Sequence, residues 1–225
     1  DQSLTTNGIS ITSQDVPLII DVTILEDTYI IDETVKVLIS VNDSPDGDYK
    51  YFSGTVAGKN LTNLQKESNS LYAAYFTVEE GDTDYSADQT IPVNNLRLLS
   101  GSLIGKAYNG VVNNATIIDA NAPVVNKISV DNGTYYIGDR ILVDIEADGS
   151  NYTAVNGTQI NGIPLSSSSV SFGNISANQY RLVYNIQPGN SGVLPGNLEI
   201  ILYLEDAAGN TGGPYSDVDP NSLSI

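Results

Sequence analysis

One short pattern occurs twice in this chain. "LEDTYIIDET" (25–34) and "DNGTYYIGDR" (131–140) lie 106 positions apart, with Thr28 over Thr134, Tyr29 over Tyr135 and Ile31 over Ile137. The match runs without a gap from Asn7 to Asp43 against Asn113 to Gly149, placing Pro17 on Pro123, Val37 on Val143 and Ile39 on Ile145. After small shifts "LYAAYFTVEEGD" (71–82) resembles "QYRLVYNIQPGN" (179–190), with Tyr72 over Tyr180, and "NLRLLSGSL" (95–103) resembles "NLEIILYLE" (197–205). Self-similarity at a fixed offset means one structural unit used more than once. The expected organisation is a tail at 1–14, one module at 15–119 and a second at 120–225.

The period inside each copy is that of strands. Val35, Val37, Ile39 and Val41 alternate with polar neighbours, as do Ile141, Val143 and Ile145, then Tyr180, Leu182, Tyr184 and Ile186. Alternation sends one set of side chains to a core and the other to water. Turn residues separate the runs, at Pro45-Asp46-Gly47, Glu80-Gly81-Asp82, Pro188-Gly189-Asn190 and Ala208-Gly209-Asn210. No window sustains a helical period. The predicted fold is all-β, two tandem antiparallel sandwiches, with the repeated tyrosine covering one end of each core.

These turns and strands carry a resemblance. "APVVNKISVDNGTYYIGDRILVDI", followed by "LEDAAGNTGG", resembles the Ig-like repeats of prokaryotic cell-surface proteins, and "FTVEEGDTD" (76–84) is similar to a strand and turn of the same repeats. The first copy departs from the pattern at "GKAYNG" (105–110), where the Asp of the second turn is absent. The resemblance implies an Ig-like fold and an extracellular, cell-surface setting. It is nearly silent about activity, because one fold hosts many functions.

Composition narrows the chemistry. The chain has no Cys, His, Met or Trp. That removes Ser-His-Asp and Cys-His nucleophiles, His- or thiolate-bound zinc, haem and iron–sulfur centres. The net charge of −18 argues against nucleic acid, whose phosphates select basic surfaces. Apolar runs such as Val16 to Ile20 are far too short for membrane insertion as a helix. With no initiator Met and no signal-peptide pattern, the chain reads as a mature or trimmed product.

Three kinds of candidate site remain. Sequons at Asn60, Asn114, Asn132, Asn151, Asn156 and Asn174 predict N-linked glycans, while Asn42 is a poor acceptor because Pro45 follows its Ser. Carboxylates cluster at Asp43, Asp46 and Asp48 and at Glu79, Glu80, Asp82 and Asp84, and the module junctions carry Asp119 with Asn121, then Asp217 with Asp219; calcium is the cation they would suit. The simpler reading of those acids is solvated turns. No spacing matches a paired-carboxylate active site, so the expectation is no enzyme and no other cofactor. An intramolecular Lys–Asn isopeptide bond would need a buried lysine such as Lys36 or Lys127.

The ends of the repeat suggest how the chain is used. "NGISITS" (7–13) aligns with the last strand expected of the first copy, while Gly212-Gly213-Pro214 reads as too poor a strand to close the second. Gly8, Ile9, Ser10, Ile11 and Thr12 would then be an assembly strand, inserted into the second module of an identical subunit beside Leu198 to Leu204 or its sheet partner. Such contacts are head-to-tail and build a filament, which is similar to the thread-like and chaperone-type pili of prokaryotic surfaces. The alternative is an Ig-like stalk or binding segment of an adhesin or S-layer protein, meeting host or neighbouring cell surfaces. Pro220 to Ile225 fits that alternative, because its spacing repeats Pro17 to Val22 and Pro123 to Ile128 as if a third module began there.

Overall fold

The computed structural model describes residues 16–42, 48–112, 114–219 and 223–225. Among these residues every regular element is a strand, and the chain divides into two compact units, one ending at Ala120 and the other spanning Asn121–Ile225.

The first unit contains β1 (Ile19–Ile24), β2 (Thr28–Tyr29), β3 (Thr34–Val41), β4 (Lys50–Val56), β5 (Lys59–Asn60), β6 (Thr62–Ser68), β7 (Leu71–Thr77), β8 (Ile91–Ser100), β9 (Leu103–Ile104), β10 (Tyr108–Val112) and β11 (Ile117–Ile118). One sheet has the order β1-β3-β7-β6 and the other β10-β8-β4-β5, with β9 folded back on β8. That is the immunoglobulin arrangement, four strands packed on a second sheet in which β8 lies between β10 and β4. Strict alternation in β3 buries Val35, Val37, Ile39 and Val41 against Ile91, Val93, Leu96 and Leu98 of β8. The two sheets thus share one dry layer of aliphatic side chains, the main source of their stability. Gly54 sits where β4 bulges against β8. Its φ is 105°, and a Cβ there would run into the Asn95–Leu96 backbone, so only glycine fits.

The second unit repeats the plan with β12 (Val125–Val130), β13 (Arg140–Ala147), β14 (Thr153–Ala154), β15 (Gln159–Ile160), β16 (Ile163–Pro164), β17 (Val170–Ser176), β18 (Gln179–Asn185), β19 (Ile200–Glu205) and β20 (Thr211–Tyr215). Its sheets are β12-β13-β18-β17 and β14-β19-β15-β16, with β20 also on β19. Ile141, Val143, Ile145, Tyr180, Leu182 and Tyr184 face Ile200, Leu202 and Leu204 in the core. Where the first unit has the continuous β4, the second breaks into β14 and β15 at a turn through Asn156 and Gly157. Thr158 repairs the ladder there: its hydroxyl accepts from the Tyr203 N–H at 3.0 Å and donates to the Tyr203 carbonyl at 3.2 Å.

The expectation that the second module lacks a closing strand is corrected. β20 pairs with β19 through Leu202↔Tyr215, Leu204↔Gly212 and Glu205↔Thr211. Further on, the chain bridges in parallel to β12 at Ile128↔Val218 and to the repeated motif at Thr134↔Ser224, and Leu223 is completely buried. Gly212 and Gly213 are needed for this path. A Cβ on Gly212 would strike the Pro123 carbonyl and the Tyr215 hydroxyl, which hydrogen-bond each other, and Gly213 has φ 119°. Pro214 is tolerated because β20 lies at a sheet edge and is irregular between its pairings with Leu202 and Leu204. The first module closes alike, with β11 parallel to β2 at Ile117↔Thr28 and Ile118↔Tyr29. The edge beside Leu198 to Leu204 that was to accept a donor is therefore occupied. The assembly strand Gly8–Thr12 lies outside the described residues.

Candidate functional site

The repeated motif is a clasp. Tyr29 turns back so that its hydroxyl donates to the Leu25 carbonyl at 3.1 Å, and Tyr135 does the same to Asp131 at 3.2 Å. Glu33 accepts from the Ile30 N–H at 3.0 Å, and its counterpart Asp139 accepts from Tyr136 at 2.8 Å. Both tyrosine rings pack on their cores. Burial, then the nearby Asp27 and Glu33, raises the Tyr29 pKa above its ordinary value. The tyrosine hydroxyls and the Glu33 and Asp139 carboxylates fix the chain entering β3 and β13, which is a structural use.

Two acids of residues 79–84 bind backbone N–H groups. Asp82 accepts from the Glu79 N–H at 2.8 Å, and Asp84 accepts from the Ala120 N–H at 2.8 Å. Lys59 reaches Glu79 at 2.5 Å and Asp82 at 2.9 Å, and these bonds raise its pKa, the one to Glu79 contributing most. Asp206 plays the same part in the "LEDAAGN" turn. One carboxylate oxygen takes the N–H groups of Ala208, Gly209 and Asn210 at 2.9, 2.7 and 2.9 Å, and the other takes the Asn210 side chain at 3.1 Å. Among the described residues no group of three or more Asp, Glu, His or Cys could hold a metal ion. Asp43 and Asp46 lie outside the described residues, and Asp48 faces Lys66 at 3.9 Å. Lys36 is bound to Glu67 at 2.9 Å on the surface and Lys127 is exposed, so neither is the buried lysine an isopeptide bond requires.

The structure sorts the predicted glycan acceptors. Asn114 is half-buried, and the nitrogen that would carry a sugar donates to the Ile24 carbonyl at 2.6 Å. Asn60, Asn132, Asn151, Asn156 and Asn174 are exposed. Two of these, Asn151 and Asn174, line a single groove of the second module with Tyr152, Leu165, Phe172 and Ser176. Tyr152 and Phe172 in its lining both stack on the buried Tyr180 ring: Tyr152 lies 6.0 Å from it at 10°, and Phe172 5.5 Å at 13°. The Tyr180 hydroxyl accepts from the Tyr152 N–H and donates to the Gly149 carbonyl, both at 3.1 Å, which locks the stack. The Tyr152 pKa is pushed far up, first by burial and then by its bond to Asp148 at 3.0 Å. Sequence reasoning missed this groove. Its signal in the sequence is that Phe172 and Asn174 share one face of a strand.

No family model matches the chain, and no curated protein matches it. Solved structures do. An I-band fragment of titin aligns at 12% identity and TM-score 0.46 over 95% of this chain, and the chain spans 66% of that fragment's length. The Yersinia pseudotuberculosis adhesin InvE aligns at 14% identity and TM-score 0.31, covering 85% of this chain and 56% of the other. The Escherichia coli adhesin FdeC aligns at 15% identity and TM-score 0.32, covering 84% and 74%.

Proposed function

We propose that this chain is a non-enzymatic segment of an extracellular surface protein. Its two Ig-like modules serve as stalk or binding units of an adhesin or surface-layer protein. The observation that carries this reading is the self-closure of each sandwich by its own last strand, β10 with β11 in one and β20 in the other. A module that completes its own sheets can be strung in series without a partner. Strand donation into the second module would first have to expel β20 and lift Leu223 out of the core. The strongly acidic surface fits a chain that stays soluble and separate from its copies. Protease shaving of intact cells tests the location. Release of peptides from this chain, with cytoplasmic proteins left whole, supports the surface reading; recovery only after lysis overturns it.

A further inference from the structure

We infer that Asn174 carries a glycan whose first sugar covers the Tyr152–Phe172 groove and stabilises the second module. The argument starts from a difference between the two copies. Across its strand ladder Tyr72 faces Lys66, whereas Tyr180 faces Asn174. Tyr72 belongs to the matching stack, with Tyr49 at 5.5 Å and 13°. The Lys66 side chain is long and only 24% exposed, so its aliphatic stem covers that ladder position with the chain's own atoms. In the second module the same position holds a short amide, and the aromatic floor beside it opens to solvent.

The residue that leaves this gap also begins a sequon, Asn174-Ile175-Ser176. Phe172 and Asn174 are two apart on one strand and so point to the same side. A sugar on the Asn174 amide therefore starts directly over the Phe172 ring. Pyranose faces are rows of C–H groups, which lie flat on an aromatic floor while their hydroxyls stay in water. The attachment is transfer from a lipid-linked oligosaccharide. The bond from Asn174 Nδ2 to the anomeric carbon forms as the bond from that carbon to the lipid phosphate breaks. The phosphate leaves with the bonding pair, the amide gives up one proton, and nothing is oxidised or reduced. Asn156 offers the contrast, an exposed sequon in a turn that does not line this groove.

The inference rests on the surface reading only in that the native cell must expose the chain to such a transfer. Secretion of the full chain from a eukaryotic host, whose glycans begin with N-acetylglucosamine, tests the groove separately. Expected are occupied Asn174 in the glycopeptide map and a fall of roughly 4 °C or more in the second module's melting temperature for both Asn174→Gln and Ser176→Ala. Trimming the glycan to its first sugar leaves that temperature unchanged, as does Asn156→Gln. In unglycosylated protein from a bacterial cytoplasm, Asn174→Gln changes nothing. An unmodified Asn174, an absent shift, an equal shift from Asn156→Gln, or the same shift without glycans overturns the inference. Because the foreign host supplies the transfer, failure here speaks against the groove and not against the surface location.

Discussion

The Tyr29 hydroxyl donates to the Leu25 carbonyl four residues upstream, and Tyr135 repeats that bond to Asp131 in the second module. Each bond ties the entry of a central strand to the end of its core. Tyr29→Phe and Tyr135→Phe should each lower stability by about 1 kcal/mol, the usual worth of one hydrogen bond. Denaturant titration that follows each module separately checks this, and each change should move only its own module.

The cores are separate, so their losses should be too. Ile39 and Ile145 are buried on matching strands, paired across the ladder with Tyr72 and Tyr180. Ile39→Ala and Ile145→Ala should each cost roughly 2–5 kcal/mol, as truncations in a dense core do. Calorimetry should show one transition falling while the other holds.

Asp206 holds three backbone N–H groups with one oxygen. Asp206→Ala strands all three in a partly buried turn, and a loss of about 2–3 kcal/mol is expected. Asp206→Asn keeps an acceptor and should lose less. Thermal melts of the two variants give the comparison.

Alkaline stability follows from the raised tyrosines. Tyr29 and Tyr152 have folded pKa values above the ordinary 10.0, so the unfolded chain gives up those protons first. Their contribution is complete below that ordinary value and is lost as pH rises through the folded ones. Lys59, also raised, acts in the same direction. Stability should therefore fall above roughly pH 10, and Tyr152→Phe should flatten that limb in the second module. A chemical-denaturation series across that pH range measures it.

Much of the fold is written in the sequence, because it depends on period and repeat. The alternation in 35–41 and 141–145 sets the inward face, and the 106-residue offset marks two copies. What escaped reading depends on neighbours distant in the chain. Gly212-Gly213-Pro214 looks like a strand breaker until the Pro123 carbonyl and Tyr215 hydroxyl are seen crowding Gly212 at a sheet edge. Asn114 reads as a free sequon until Ile24, on the first strand, claims its nitrogen. The acids of 79–84 read only as turn acids, and their partners Lys59 and the Ala120 N–H lie 20 or more residues away in the chain. The aromatic groove was hidden for the same reason, since Tyr152, Phe172 and Tyr180 meet only across strands.

Self-closure of both sandwiches is the central claim, and the mass of the full chain in solution at high concentration tests it most directly. Light scattering coupled to size exclusion should return the mass of one chain at every dilution, and the mass of one shortened chain when residues 1–13 are removed. Head-to-tail polymers that form from the full chain and vanish on that deletion would contradict the account, because a donated strand would then be displacing β20.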